Sequence, residues 1–268
     1  MVGQDVKAIH YWPPSDNPEV HSDDASLDDD GKHPWILVNS TPASCAQLGL
    51  GNFFFQDRSP IDLVISGPNY GRNTTAVFAL SSGTLGAALE AAVCGHHAIA
   101  LSFAFFDRKN IAEVVAESCK QSVRVCEYLA KNATWGGGRL YSVNVPLKAG
   151  VTKEKIVWTK MLQNEWRNGA CFEELPTAAK VDDPVTEEAH LRDQESGSGE
   201  KVKAASAPSG AWKQRHFKWA PRFTDVYDAV QKAGPGSDGW AVKEGQTSVT
   251  AIYANFMHAE PLEGEVKL

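Results

Sequence analysis

The chain has 268 residues, 43% of them hydrophobic, which is enough for one full hydrophobic core. Its formal net charge of −7 argues against a nucleic-acid duplex or an anionic membrane as a partner. No apolar run approaches the roughly 20 residues of a membrane span, no signal-like start is recognised, and the five cysteines form no C-x-x-C pair, so a cytoplasmic protein with reduced thiols is expected.

The first part of the chain is predicted to contain two short strands, an acidic loop and a helix. Apolar residues alternate along Met1 to Trp12, which indicates a strand, and a second strand is predicted at Trp35 to Val38. The segment 21–32 is rich in aspartate, which is typical of a solvated loop. Thr41 fits the N-cap of a helix over Pro42 to Leu50, because proline is favoured at the first helical position.

The next stretch predicts a strand–loop–helix–strand unit of the α/β kind. The apolar run Ile61 to Ile65 indicates a buried strand, which we expect to end in a turn at Ser66-Gly67-Pro68-Asn69. A helix of small residues is predicted to open at Ser82-Gly83-Thr84 and to continue over Leu85 to Val93. Another strand follows at Ala98 to Leu101.

The loop between this strand and this helix has groups suited to a phosphate. In α/β folds, ligands bind where the carboxyl end of a strand faces a helix N-terminus. Ser82 and Thr84 supply hydroxyls, Gly83 permits close approach of the backbone, and Asn69 and Asn73 offer oxygens suited to a hard cation. On spacing alone, an ordinary N-cap and an Asx turn are the simpler interpretation. The glycine fingerprint of nicotinamide dehydrogenases is absent, which disfavours that activity.

The second half of the chain alternates predicted helices and strands around a polar insertion. The insertion, residues 180–210, lacks the apolar residues needed to offset its ordering entropy, so we expect it to be flexible. The other predicted elements are a loop at Ser102–Asn110, an amphipathic helix at Ile111–Lys131, strands at Leu140–Pro146 and Ile156–Trp158, a short helix at Thr224–Ala233 and a last strand at Thr247–Asn255.

Four separated motifs resemble those of one known family and occur in its order. They are Thr41-Pro42-Ala43-Ser44-Cys45; Asp62-Leu63-Val64-Ile65-Ser66-Gly67-Pro68-Asn69-x-Gly71-x-Asn73 with Ser82-Gly83-Thr84 and Glu90; Tyr141-Ser142-Val143-Asn144-Val145-Pro146; and Ser237-Asp238-Gly239-Trp240-Ala241-Val242 with Ser248-Val249-Thr250. Together they resemble the SurE family of survival proteins, and Pro68 looks like its fungal branch. The likeness covers most of Trp35 to Phe256, which makes it more specific than any single motif.

The resemblance implies an α/β fold, with a Rossmann-type parallel sheet, helices on both faces and a C-terminal β-rich hairpin. It implies a metal-dependent phosphomonoesterase, a 5′-nucleotidase or acid phosphatase acting on nucleoside monophosphates and related esters, in a homo-oligomeric dimer or tetramer. Asn69 would be the metal ligand at the catalytic centre, with Mg²⁺ or Mn²⁺ as cofactor, and Asn73, Ser82, Gly83 and Thr84 would bind the phosphate. We expect a single domain over residues 1–268, interrupted only by the loop and the insertion.

One part of the family pattern has no counterpart at its expected place. SurE proteins carry an Asp-Asp-Gly loop directly after a buried first strand, whereas Asp29-Asp30-Gly31 follows a polar run. Of the four metal ligands that the resemblance implies, only Asn69 has a match. Two interpretations stay open: an enzyme truncated at its N-terminus, poorly soluble and nearly inactive as written, or a noncatalytic binding or scaffold protein with the same fold.

Overall fold

The computed structural model describes residues 5–11, 35–51, 53–54, 60–105, 111–167, 171–175 and 215–255. They form two compact units, the described parts of Met1–Asn164 with Val230–Leu268, and of Glu165–Ala229. The predicted loop 21–32 and insertion 180–210 lie outside the described residues. None of the described helices is both long enough and apolar enough to cross a bilayer.

The elements follow one another as strands and helices of ordinary length. In chain order they are β1 (Ala8–Tyr11), β2 (Trp35–Val38), α1 (Pro42–Leu50), β3 (Val64–Tyr70), α2 (Ala76–Ala79), α3 (Gly83–Val93), β4 (Ala98–Ala104), α4 (Ala112–Asn132), β5 (Arg139–Pro146), β6 (Ile156–Thr159), β7 (Phe172–Leu175), β8 (His216–Trp219), α5 (Phe223–Ala233), α6 (Asp238–Lys243) and β9 (Thr247–Tyr253).

The larger unit is built on a five-stranded sheet in the order β3-β4-β5-β9-β6. Strands β3, β4 and β5 are parallel, whereas β9 runs antiparallel to β5 and β6 runs parallel to β9. Helix α3 packs on one face and α4 on the other. The predicted α/β class with helices on both faces is therefore confirmed, with a mixed rather than wholly parallel sheet.

The two faces of the sheet are set by the alternation of side chains along β4. Ala98 and Ala100 point toward α3, where they pack against the small residues of that helix. Ile99, Leu101 and Phe103 point the other way and pack against α4. Because alanine side chains are short, α3 can approach the sheet closely, and this brings its N-terminus to the carboxyl ends of β3 and β4.

Helix α1 was predicted with the bounds that the structure shows. Thr41 is its N-cap, and the hydroxyl of Thr41 accepts a hydrogen bond of 3.2 Å from the backbone N–H of Ser44. The predicted strand at Trp35 to Val38 is also confirmed, as β2, which pairs antiparallel with β1.

The predicted carboxyl ends of β3 and β4 are wrong, and both errors shorten the strand. The predicted turn at Ser66-Gly67-Pro68-Asn69 is part of β3, whose pairing with β4 is interrupted between Ser66 and Asn69. Proline lacks an N–H and is tolerated in such an interruption on a strand at the edge of the described sheet. The predicted loop at Ser102–Asn110 begins too early, because β4 stays paired with β5 as far as Ala104.

The smaller unit contains an antiparallel pair, β7 and β8. The guanidinium of Arg215 donates two hydrogen bonds to the carboxylate of Glu174, at 2.6 and 2.5 Å. A second pair, Lys218 with Glu173, lies on the same ladder at 3.0 Å.

Candidate functional site

Four polar side chains meet at the carboxyl ends of β3 and β4. Oδ1 of Asn69 accepts hydrogen bonds from the hydroxyl of Ser102 at 2.8 Å, from that of Thr84 at 3.1 Å, and from Nδ2 of Asn73 at 3.1 Å. Nδ2 of Asn73 also donates to Oγ of Ser102 at 2.7 Å. Ser102 is 1% exposed and Asn73 is 6% exposed. The structure thus brings the predicted residues Asn69, Asn73 and Thr84 into direct contact.

The predicted triplet Ser82-Gly83-Thr84 forms the start of α3, and its members differ in what they contact. Ser82 is the N-cap, and its hydroxyl accepts from the N–H of Leu85 at 3.1 Å. A Cβ added to Gly83 would lie 2.8 Å from Cγ of Pro42, so the glycine permits α1 to pack against this turn. Only Thr84 is joined to Asn69, and phosphate-binding roles for Ser82 and Gly83 stay predictions.

The end of α3 that faces Asn69 is suited to an anion. Helix α3 has 11 residues, and the first N–H groups of a helix carry the positive end of its dipole. The hydroxyl of Thr84 and the amide of Asn73 can both donate hydrogen bonds. The cluster of Asn69, Asn73, Thr84 and Ser102 has no charged side chain, and in the structure its side-chain donors are bonded within the cluster.

The segment 73–77, which leads from β3 into the first residues of α2, is held by acceptors from other parts of the larger unit. Four of its five backbone N–H groups donate to these acceptors, and this fixes the backbone from which the Asn73 side chain extends. The bonds are Asn73 N to Asn144 Oδ1 at 2.8 Å, Thr75 N to Asp238 Oδ2 at 2.8 Å, Ala76 N to Leu162 O at 2.9 Å and Val77 N to Asn164 Oδ1 at 3.2 Å.

Thr75 has an unusual backbone conformation for its residue type. Its φ is +69°, and it is fully buried, with no hydrogen-bond partner for its hydroxyl among the described residues. A β-branched residue in this region costs on the order of 1–3 kcal/mol and persists only where the surrounding structure imposes it. Here the bond from its N–H to Asp238 supplies part of that constraint.

Asp238 joins three segments of the larger unit through one carboxylate. It is 1% exposed, and besides Thr75 it accepts from the N–H groups of Leu162 at 3.0 Å and Gly239 at 2.7 Å. Burial raises the pKa of Asp238, and the bonds from these N–H groups act in the opposite direction. Since both carboxylate oxygens are occupied by backbone donors, we interpret Asp238 as a residue that positions the loop.

Sequence reasoning missed Ser102, and it assigned no role to Asn144 or Asp238. The register places Asn69, Ser102, Asn144 and Ser248 side by side across four strands, on the face that carries α3. A signal was present in the sequence. Ser102 follows Ala98 and Ala100 at a spacing of two, and Ser142 and Asn144 alternate with valines, so the polar positions fall on one face.

The described residues do not by themselves fit a divalent cation. They contain no group of three or more His, Cys, Asp or Glu residues that could hold a metal. Asn69 offers one neutral oxygen, which already accepts three hydrogen bonds. Magnesium requires six oxygen ligands, normally including carboxylates. The metal-ligand role of Asn69 therefore stays a prediction from the resemblance.

Comparisons with known proteins agree with the fold and the motifs. A family model described as "Survival protein SurE" matches residues 9–168. A "5'-nucleotidase SurE" of Roseobacter denitrificans is 32% identical over 224 residues, 82% of this chain and 70% of the relative. The "Probable tubulin--tyrosine ligase PBY1" of Saccharomyces cerevisiae is 30% identical over 285 residues, 98% of this chain but only 34% of that protein.

A solved structure shows the same fold. The SurE protein from Aquifex aeolicus superposes with a TM-score of 0.53 at 22% identity, over 83% of this chain and 71% of the other. The family match covers more than half of the chain, and the identity to the Roseobacter relative extends over most of both proteins. The chain therefore belongs to the SurE family.

Proposed function

We propose that the chain carries the phosphate-binding site of a phosphomonoesterase that acts on nucleoside 5′-monophosphates. The observation that carries the proposal is the buried cluster of Asn69, Asn73, Thr84 and Ser102 at the N-terminus of α3. The name of the Roseobacter relative, 5'-nucleotidase, supports this activity, and the chain spans 70% of that protein. The ligase name belongs to a yeast protein of which the chain spans only 34%.

The cluster can hold a phosphate group if its side chains exchange hydrogen-bond partners. In the structure the hydroxyl of Thr84 and Nδ2 of Asn73 donate to the side chains of Asn69 and Ser102, and on binding they would donate to the phosphate oxygens instead, together with the first N–H groups of α3. Ser102 and Asn144 position these donors: Ser102 bonds the side chains of Asn69 and Asn73, and Asn144 bonds the backbone N–H of Asn73. Dependence on Mg²⁺ or Mn²⁺ is part of the proposal on the family resemblance alone.

A noncatalytic nucleotide-binding protein of the same fold is the second candidate. The observation in its favour is the saturation of Oδ1 of Asn69 by three donors, since a metal ligand must keep a lone pair for the ion. The two candidates share the phosphate site and differ only in turnover. A cytoplasmic location and a dimeric or tetrameric state are proposed with either.

Binding and turnover are measured separately to distinguish the two. Calorimetric titration of the chain with AMP and with inorganic phosphate is compared for wild type, Asn73→Ala and the control Asn132→Ala, an exposed asparagine of α4. Phosphate release from AMP and p-nitrophenyl phosphate is then assayed with Mg²⁺ or Mn²⁺. Binding that Asn73→Ala weakens, together with metal-dependent release, supports the phosphomonoesterase. Binding without release supports the second candidate, and binding that Asn73→Ala leaves unchanged overturns both.

A further inference from the structure

A stacked pair of aromatic rings lies at the carboxyl ends of the same two strands that carry the phosphate cluster. The rings belong to Tyr70, the last residue of β3, and Phe105, the residue after β4. Their centroids are 4.6 Å apart and their planes differ by 8°. Tyr70 is 46% exposed. The exposure of Tyr70 leaves part of the aromatic surface of this pair accessible to solvent.

The backbone around Tyr70 is fixed by the phosphate cluster itself. Nδ2 of Asn69 donates to the carbonyl oxygen of Gly71 at 3.2 Å, and the N–H of Gly71 donates to the carbonyl oxygen of Phe103 at 2.9 Å. A Cβ added to Gly71 would lie 3.1 Å from Nδ2 of Asn69, so this turn is closely packed on the asparagine. The backbone on either side of Tyr70 is therefore coupled to the side chain of Asn69.

The two surfaces are separated by the end of one strand. Consecutive Cα atoms lie about 3.8 Å apart, and successive side chains of a strand point to opposite faces. Asn69 points toward α3, and Tyr70 points toward the α4 side, where its partner in register is Phe103. A ligand that contacts both the Asn69 cluster and the aromatic pair must extend over the carboxyl end of β3. It needs an anionic group at one end and a flat group at the other.

We propose that Tyr70 and Phe105 form a stacking platform for the base of a nucleotide whose phosphate is bound by the Asn69 cluster. The inference rests on the proposed function and specifies its substrate. A nucleoside 5′-monophosphate has the required form, because its ribose separates a phosphate from a planar base. Stacking on aromatic rings tolerates every base, since each has a π-face. The platform therefore selects nucleotides over small phosphate esters and favours the larger purines over pyrimidines.

The aromatic pair could instead only stabilise the ends of the two strands. A comparison of ligands distinguishes this role from that of a stacking platform. AMP, CMP and inorganic phosphate are titrated against wild type, Tyr70→Ala, Tyr70→Leu and Tyr70→Phe. Tyr128→Ala, which removes an exposed tyrosine from α4, is the matched control. Tyr70→Leu keeps apolar volume without a π-face, so it tests the proposal even if the alanine variant folds poorly.

The proposal expects a selective loss of nucleotide affinity. Tyr70→Ala and Tyr70→Leu should weaken AMP binding roughly fivefold to a hundredfold, with a smaller loss for CMP. Inorganic phosphate should bind all variants with similar affinity, and Tyr70→Phe should match wild type. An equal loss for AMP and phosphate would mean that Tyr70 only supports the phosphate cluster, and no loss for AMP would mean that no base stacks on it. Either result would overturn the platform and leave the proposed function standing. A wild-type chain that binds neither AMP nor phosphate would overturn the proposed function as well.

Discussion

The two faces of the central sheet differ in the size and polarity of the side chains that cover them. On the α4 face, Ile99, Leu101 and Phe103 of β4 pack against the buried Leu129 and its neighbours in a large apolar cluster. On the α3 face, the same strand presents Ala98, Ala100 and then Ser102. The first face contributes most of the apolar contact. The second has short side chains, and it carries the polar row that ends at Asn69.

The difference explains why the phosphate cluster lies where it does. A strand lined with alanines allows α3 to lie close to the sheet, and this closeness lets Thr84 reach Asn69 at 3.1 Å. Larger side chains at these positions would move the helix outward and separate the two residues. The α4 face therefore contributes mainly to stability and the α3 face to the geometry of the site. Substitutions on the α4 face should change the free energy of unfolding alone, and those on the α3 face should also change ligand affinity.

The largest expected effect is on the α4 face. Leu129→Ala removes a side chain that is 0% exposed from the larger cluster. We expect a loss of about 2–5 kcal/mol in the free energy of unfolding, because buried leucines leave a cavity when they are truncated. Urea denaturation measures the loss, and Val123→Ala, at an exposed position of the same helix, is the control. Phosphate affinity measured well below the unfolding midpoint should be unchanged, and a parallel loss of affinity would contradict the separation of the two faces.

A substitution on the α3 face should affect both stability and the site. Ala88 is buried between α3 and the sheet, and Ala88→Leu adds volume where none is available. Overpacking of this kind costs about 1–3 kcal/mol, and it should move Thr84 away from Asn69. The expected result is weaker AMP and phosphate binding together with a lower denaturation midpoint. Val93→Leu enlarges an exposed residue of the same helix and should leave both measurements unchanged.

The sequence predicted the local features of this arrangement better than the long-range ones. Thr41 and Ser82 were recognisable as N-caps because capping depends on residues within one turn. Gly67-Pro68 misled, since the same dipeptide that marks turns also fits an interruption in a strand at the sheet edge. Once β3 and β4 were taken to end early, Ser102 fell in a predicted loop and its contact with Asn69 could not be foreseen.

The direction of β9 was also beyond the reach of the sequence pattern. Alternation identified Thr247–Asn255 as a strand, but a period of two is the same for parallel and antiparallel neighbours. The pairing of Ser248 with Asn144 follows only from the antiparallel register of β9 and β5. The polar row across the sheet is thus a property of the topology, and its members lie up to 179 positions apart in the chain, from Asn69 to Ser248.

A smaller loss of stability and of ligand affinity is expected from Ser102→Ala, and it should exceed the loss of affinity from replacing another buried serine on the same face. Ser102→Ala removes the hydroxyl that donates to Asn69 and accepts from Asn73, at a cost of about 0.5–1.5 kcal/mol in stability. Because both asparagines lose a partner, AMP and phosphate binding should weaken. Ser142→Ala is the control, since Ser142 is equally buried on the neighbouring strand and, among the described residues, its side chain makes no hydrogen bond to the cluster. Equal effects of the two substitutions on binding would show that Ser102 does not position the site.

The smallest expected effect is a pH dependence of stability from Asp238, whose carboxylate fixes the loop beside the polar face. Burial raises the pKa of Asp238 above its ordinary value of 3.8, so the folded chain keeps this proton to a higher pH than the unfolded chain. Wherever the folded state binds more protons, the free energy of unfolding decreases as pH rises. The stability of wild type relative to Asp238→Asn, which cannot ionise, should therefore fall as pH rises from the ordinary pKa to the raised one, and it should stay constant at higher pH.

Urea midpoints measured between acid and neutral pH give this difference, and Asp62→Asn gives the effect of losing an exposed carboxylate. A relative stability that rises with pH over the same range would mean that the three backbone donors outweigh burial and hold the pKa of Asp238 below its ordinary value.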